Sequence, residues 1–277
     1  MKRVIGIGNA LTDVLVNLRN EDVLHNHNIA RGSMSLVDSE LQSQISKEVA
    51  GLPHSLSLGG SAGNTIRTMA RLGAEVGFIG KVGEDSTGDF YIQALRNVGV
   101  EPFILRSEHS SGKCLSLISA DGERTLVTHL GAAADLQAED IDAAVFDGYD
   151  ALYIEGYLVQ DHELIETALR TAKEQGCTVS LDLASYNVVN DNHQFLKDLI
   201  YKYVDIVFAN EDESFAYTHL NPEESVENIA GQCDIAIVKV GKRGSYVRQG
   251  GQLYHIGAIT SNCLDSTGAG DLYAGGF

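Results

Sequence analysis

The chain lacks most of what would commit it to a membrane, an oxidising compartment or a nucleic acid. No apolar run approaches the roughly 20 residues needed to span a bilayer. Residues 1–6 run straight into a strand-like segment, without the apolar stretch of a signal peptide. The four cysteines, Cys114, Cys177, Cys233 and Cys263, are scattered and form no CxxC pair. That excludes an evident disulfide framework or zinc site and fits a reduced, cytoplasmic chain. Three prolines in 277 residues, with no repeat or low-complexity tract, leave no visible linker or domain boundary. Positive charge is scarce: 20 Lys and Arg face 38 Asp and Glu, a net charge of −18. Such a surface repels nucleic acid and anionic membrane. It leaves room for a small anion, because backbone amides alone can bind phosphate inside an acidic protein.

Several familiar motifs are absent too. The Gly-Lys pairs at 80–81, 112–113 and 241–242 are followed by Val82, Cys114 and Arg243, where a P-loop needs Ser or Thr. Gly6-Ile7-Gly8-Asn9-Ala10-Leu11 begins like a dinucleotide fingerprint, but Leu11 stands where the third glycine belongs. The nine histidines show no metal-ligand spacing, and no Ser/His/Asp order stands out.

What is present is a strand–helix alternation. Strands are expected at Lys2–Gly8, Val76–Val82, Leu152–Glu155, Thr178–Leu183, Ile206–Ala209 and Ile235–Val240. Helices are expected at Asp38–Val49, Ala62–Leu72, Gly88–Val98 and Asp161–Gln175, the last three closed by Gly73, Gly99 and Gly176. This order implies a mainly parallel sheet covered on both faces. Two stretches, 14–37 and 103–130, break the rhythm with short alternating runs and a hairpin turn at Asp121-Gly122. They are expected to form a small antiparallel lid over a cleft, or else edge strands of the main sheet.

The last segment, Asp265-Ser266-Thr267-Gly268-Ala269-Gly270-Asp271, leads small residues into an acid and then an apolar run. Unpaired amides at a helix start here make an anion site, and Asp271 beside a phosphate suits a base for an attacking hydroxyl. A plain turn with a dipole-stabilising acid fits the same residues. Gly59-Gly60-Ser61-Ala62-Gly63-Asn64 is a second glycine-rich turn entering a helix, open to a polyhydroxylated ligand. Asp13 follows the first strand, where it can accept from vicinal hydroxyls or simply face solvent. Asn210-Glu211-Asp212-Glu213 follows a strand and suits either water around Mg²⁺ or a capping box. Lys239-Val240-Gly241-Lys242-Arg243-Gly244 joins a strand to a hairpin, which can border a nucleotide or be only a loop. Tyr157, Met34 and Phe103 are candidates for packing on a substrate ring.

Together these segments resemble the PfkB (ribokinase-like) carbohydrate kinase family, nearest its adenosine kinase branch. The Gly59-Gly60…Asn64 turn is similar to its first signature and Asp265…Asp271 to its second. Asn210…Glu213 resembles its NxxE motif and Gly241…Gly244 its nucleotide-loop glycines. Gly8-Asn9-Ala10-Leu11-Thr12-Asp13 and Gly32-Ser33-Met34 carry the likeness to the adenosine kinase branch. The resemblance implies an α/β ribokinase-like fold and an ATP- and Mg²⁺-dependent kinase. Its γ-phosphoryl acceptor would be a primary hydroxyl on a nucleoside, adenosine-like first, or on a free sugar such as ribose or fructose. A non-catalytic nucleoside-binding protein on the same scaffold is the alternative of another class.

On these positions the resemblance makes Asp271 the base, with Gly268, Ala269 and Gly270 as the anion hole. It gives Asn9, Asp13, Gly60 and Asn64 to the acceptor. Asn210 and Glu213 would organise Mg²⁺ through water, while Lys239, Gly241 and Gly244 would border the nucleotide. Asp182, placed by its strand end, would also face the phosphates. Lys239 stands where many members have threonine. The family's members usually continue for several tens of residues past the second signature. The C-terminal part of the fold is therefore expected to be missing after Phe277. A monovalent cation and a homodimer joined through the lid complete what the likeness leaves open, with no nucleic acid and no membrane as partners.

Overall fold

The computed structural model describes residues 2–259 and 268–277. Asp265, Ser266, Thr267 and Cys263 of the expectations above lie outside the described residues.

A nine-stranded sheet forms the body. Its strands are β1 (Arg3–Ile7), β5 (Glu75–Gly83), β6 (Val100–Ser107), β9 (Ala151–Glu155), β10 (Thr178–Asp182), β11 (Ile206–Asn210), β12 (Ile235–Lys239), β13 (Ser245–Gln249) and β14 (Gln252–Ile256). The spatial order is β14-β13-β12-β11-β10-β9-β1-β5-β6. Neighbours from β12 to β6 run parallel, and β13 and β14 close the sheet as antiparallel hairpins. Runs such as Val-Ser-Leu and Ala-Ile-Val are buried on both faces because helices cover both, as a parallel sheet requires.

The intervening helices start and stop where their caps dictate. Asp85 accepts from Gly88 N at 2.8 Å and Asp161 from Leu164 N at 2.9 Å, each satisfying an otherwise orphaned amide. Gly73, Gly99 and Gly176 follow with positive φ and allow the chain to leave the helix. The apolar faces pack into continuous clusters on the sheet, around Leu152, Ile165 and Val207 on one side and Ile66, Phe78 and Leu95 on the other.

A separate five-stranded sheet stands off this body in the order β3-β8-β7-β2-β4. It consists of β2 (Leu11–Asn17), β3 (Met34–Leu36), β4 (His54–Leu58), β7 (Gly112–Ile118) and β8 (Arg124–His129). The expectation of a small second sheet is met, with three differences. First, Phe103 is not part of it: β6 pairs in parallel with β5 as an edge of the main sheet, where Phe103 lies edge-to-face on Tyr149 at 6.2 Å. Second, β4 joins it from a stretch that broke no rhythm. Third, the sheet is mixed, because β2 pairs in parallel with β7 and β3 with β8, while only β2–β4 and β7–β8 are antiparallel. The second sheet has its own buried cluster around Val16, Ile45 and Leu117.

Among the described residues no helix is long and apolar enough to cross a membrane, and Cys114, Cys177 and Cys233 are free thiols.

Candidate active site

The parallel strands end on polar residues that face one another. β9 ends at Glu155, β10 at Asp182, β11 at Asn210 and β12 at Lys239, and β1 is followed by Gly8 and Asn9. Ligands of open α/β sheets bind at this edge, outside the carboxyl ends of the strands. The second sheet roofs it. Asn9, Asp13, Gly60, Asn64, Asn210, Glu213, Lys239, Gly241, Gly244, Gly268, Ala269, Gly270 and Asp271 all line a single cleft of about 1080 Å³.

Asp271 lies at its centre. Gly268, left-handed at φ 69°, caps the helix Ala269–Gly276, so Asp271 sits in its first turn. The first helical bond closes from Leu272 N to Gly268 O at 2.8 Å. The amides of Ala269, Gly270 and Asp271 come before it and have no acceptor within the helix. Ser61 Oγ donates to Asp271 Oδ1 at 2.8 Å and Asn64 Nδ2 to Oδ2 at 3.0 Å. Burial pushes this carboxyl up to about 6 despite those two bonds, with Asp182 adding to the rise and Lys239 opposing it. The short helix is held by close packing: a Cβ on Gly275 would lie 2.7 Å from Thr68 Cβ on the helix Ser61–Arg71.

At the second-sheet end, Glu155 ties two turns together. Its Oε1 accepts from Asn9 N at 2.8 Å and Asn9 Nδ2 at 2.7 Å, and its Oε2 accepts from Ala62 N at 2.8 Å. It is only 1% exposed. Burial pushes it up to about 7, more than the three donors pull it down. Gly60, at φ 80°, has no room for a side chain, since a Cβ would run into Asn9 O. Asp13 faces the same space; burial pushes it up to about 6, while Arg67 and Arg124 draw it down.

At the other end, Asn210 and Glu213 form a reciprocal capping box. Asn210 N and Nδ2 each donate to Glu213 at 2.7 Å, and Glu213 N donates to Asn210 Oδ1 at 2.9 Å. Burial first, then Asp182, pushes Glu213 up to about 7. Lys239 Nζ donates to Asp182 Oδ2 at 2.9 Å. Burial disfavours its charge, but Asp182, Glu213 and Asp271 outweigh that and hold it above its ordinary value. Gly241 and Gly244 have φ of 55° and 97° and shape the turn between β12 and β13. No cluster of three or more metal-ligating side chains exists among the described residues. The hard oxygens of Asp182, Glu213 and Asn210 fit Mg²⁺ held through its own waters, which needs one or two carboxylates at most.

Of the ring-packing candidates, Met34 and Tyr157 line the cleft and Phe103 does not. Glu155, Leu126 and Arg124, which no motif singles out, also line it, together with Ser61 of the second glycine-rich turn and Leu36 of β3. An acid closing an otherwise apolar strand, as in Ala-Leu-Tyr-Ile-Glu, was the available signal for Glu155.

A roofed cleft at the strand ends, with a glycine turn of unpaired amides and a buried carboxylate beside it, fits a phosphotransferase acting on a sugar or nucleoside hydroxyl. Residues 36–277 match the model of the pfkB family carbohydrate kinases, and the chain belongs to that family. A 5-dehydro-2-deoxygluconokinase of Clostridium perfringens is 31% identical over 240 residues, 79% of this chain and 70% of the relative. A Staphylococcus aureus ribokinase is 26% identical over 232 residues, covering 79% and 73%. The crystal structure of an adenosine kinase from Sinorhizobium meliloti superimposes with a TM-score of 0.87 at 30% identity, over 99% of this chain and 86% of that one. A probable sugar kinase from Rhizobium etli gives 0.88 at 31%, over 99% and 85%.

Proposed function

We propose that the chain transfers the γ-phosphoryl group of ATP to the primary hydroxyl of a nucleoside, with an adenosine-like one preferred. The observation that carries the transfer chemistry is the placement of Asp271 beside the Gly268–Gly270 turn. There its carboxylate takes the proton of the attacking hydroxyl. The free amides of the turn stabilise charge on the transferring group, which asks for alignment more than covalent chemistry. Asn9 and Asp13 receive the acceptor hydroxyls. Asn9 N and Nδ2 each donate to Glu155, which anchors the amide and leaves its Oδ1 and second Nδ2 hydrogen for the ligand. Gly60 admits the acceptor close to the backbone. Asn64 contributes at the base, since Asp271 and Arg67 already hold the two ends of its amide.

Asn210, Glu213 and Asp182 would hold Mg²⁺ and the phosphates through water, and Lys239, Gly241 and Gly244 would border the nucleotide. Mg²⁺ would supply charge neutralisation across the phosphates. The second sheet acts as a lid that excludes water from the transfer. Its edges β3 and β4 carry backbone groups that a second copy can pair with, and a homodimer formed that way belongs to the same reading.

The nucleoside preference rests on the apolar wall. Met34 and Leu36 are 46% and 60% exposed, on a strand that pairs Met34 with Leu126, and all three line the cleft. A nucleobase presents two flat apolar faces to such a wall, more apolar area than the hydroxyl-rimmed ring of a free sugar. The likeness to the S. meliloti adenosine kinase supports the same choice. The curated relatives named for sugar substrates favour the second reading, a kinase of free sugars. Comparing ATP consumption with adenosine, inosine, ribose and fructose tests it. Adenosine is expected to be the fastest. A faster ribose or fructose establishes the sugar reading, and tight binding without turnover establishes a binding protein.

A further inference from the structure

Arg67 sits one turn after Asn64 on the helix Ser61–Arg71, half-buried between the two sheets. Its guanidinium divides its bonds. Nη1 donates to Ser57 Oγ at 3.3 Å and to Leu58 O at 3.2 Å, both on β4. Nη2 donates to Asn64 Oδ1 at 2.9 Å. The other end of that amide, Asn64 Nδ2, donates to Asp271 Oδ2. β4 in turn pairs Ser57 with Asp13 and Leu58 with Thr12 on β2.

The chemistry of the groups makes this chain directional. Arginine only donates, and an ionised carboxylate only accepts. An asparagine amide has two ends of nearly equal shape and opposite polarity. With Arg67 on one side and Asp271 on the other, only one orientation satisfies both. Remove Arg67 and the amide is held from the Asp271 side alone, which loosens the Asn64 Nδ2–Asp271 Oδ2 bond. The link also spans the two sheets, because two of the three bonds of Arg67 end on β4.

We propose that Arg67 is a positioning residue for phosphoryl transfer, one that orients the Asn64 amide toward Asp271 and makes the setting of that carboxylate depend on the position of the second sheet. The kinetic part of this inference rests on the reading of Asp271 as the base; the geometric part does not. Charged and titratable groups face Asp271 from every side: Arg67 from its helix, Asp13 from β2, Glu155 and Tyr153 from β9, Tyr157 just beyond it, Asp182 from β10 and Lys239 from β12. In Arg67→Met only the first of these changes.

The test is the titration of Asp271 by ¹³C NMR of its carboxyl carbon, assigned by difference from Asp271→Asn, in wild type, Arg67→Met and Arg67→Lys. Loosening of the Asn64 donor to the charged form should raise the Asp271 midpoint, by up to about 1 pH unit, in Arg67→Met. With ATP and adenosine, kcat should fall by about tenfold or more, the scale of a displaced catalytic group. Arg67→Lys keeps a charge facing Asp13 but cannot serve β4 and Asn64 together. Loss of that charge in Arg67→Met should also raise the KM for adenosine, and Arg67→Lys should bring it back toward wild type while kcat stays low. An unchanged Asp271 titration in either variant, with melting and chemical-shift dispersion like wild type, overturns the proposal. If Asp271→Asn proves fully active yet Arg67→Met still shifts the titration, the base assignment fails and the Arg67–Asn64–Asp271 link stands.

Discussion

Lys239 on β12 and Asp182 on β10 meet at 2.9 Å across the intervening strand β11. Both side chains are largely buried, at 14% and 7% exposure. The lysine also lies against the Gly268–Gly270 turn, with Nζ 3.2 Å from where a Gly270 Cβ would stand. A cation held among Asp182, Glu213 and Asp271 offsets the mutual repulsion of those carboxylates.

Lys239→Met should therefore act twice. It leaves Asp182 buried and unpaired, which costs about 3–5 kcal/mol of stability. It should also raise the KM for MgATP by roughly tenfold or more, the worth of a charged hydrogen bond. Urea unfolding and ATP-dependent kinetics separate the two effects. Adding Asp182→Asn should restore most of the stability and none of the ATP affinity. A double variant that regains both would make the lysine purely structural.

Glu155→Gln replaces an acceptor-only group by one that must turn an NH₂ toward a donor, since Asn9 N, Asn9 Nδ2 and Ala62 N all donate. A loss of about 1–3 kcal/mol and a raised acceptor KM are expected. The pH dependence has a definite sign. Burial raises the folded-state value from 4.5 to about 7, so between those limits the native state holds more protons than the unfolded chain. The contribution of Glu155 to stability is then greatest below 4.5 and is lost as pH rises through about 7. The stability advantage of wild type over Glu155→Gln should shrink across that window in a series of urea midpoints. An advantage that grows with pH would contradict it.

How much of this was legible in the sequence follows from how local each signal is. Gly268 through Asp271, and Asn210 with Glu213, are runs of neighbouring residues whose small size and capping chemistry read directly. Their convergence at one cleft follows from the parallel strand order, because β11 and β12 must end at the same edge as β1. Glu155 was hidden because a single acid after an apolar strand is also the ordinary end of a strand. Its meaning depends on Asn9 and Ala62, which only the folded chain brings near. The strand His54–Leu58 was missed because HSLSL is short and mostly exposed, with a burial pattern set by its neighbour β2. The parallel pairing of β2 with β7 has no local signature either, since pattern fixes which face is buried and not which strand lies alongside. The alternation from Phe103 onward suits either a lid strand or an edge strand of the main sheet, and β6 takes the second place because it pairs with β5.

The apolar wall makes a specificity prediction. Met34→Ser should raise the KM for adenosine by roughly three- to tenfold, from the loss of part of a buried side chain's transfer energy. Ribose kinetics should not change. Parallel measurement of the two acceptors checks it, and an equal effect on both would place Met34 outside any base pocket.

The central claim is that Asp271 takes the proton from the acceptor hydroxyl. The most direct measurement is kcat for Asp271→Asn, which keeps the side-chain shape and removes its basicity. A fall of at least about 10², the typical worth of a positioned base, is expected, with acceptor and ATP binding largely retained. A kcat near that of wild type would contradict it.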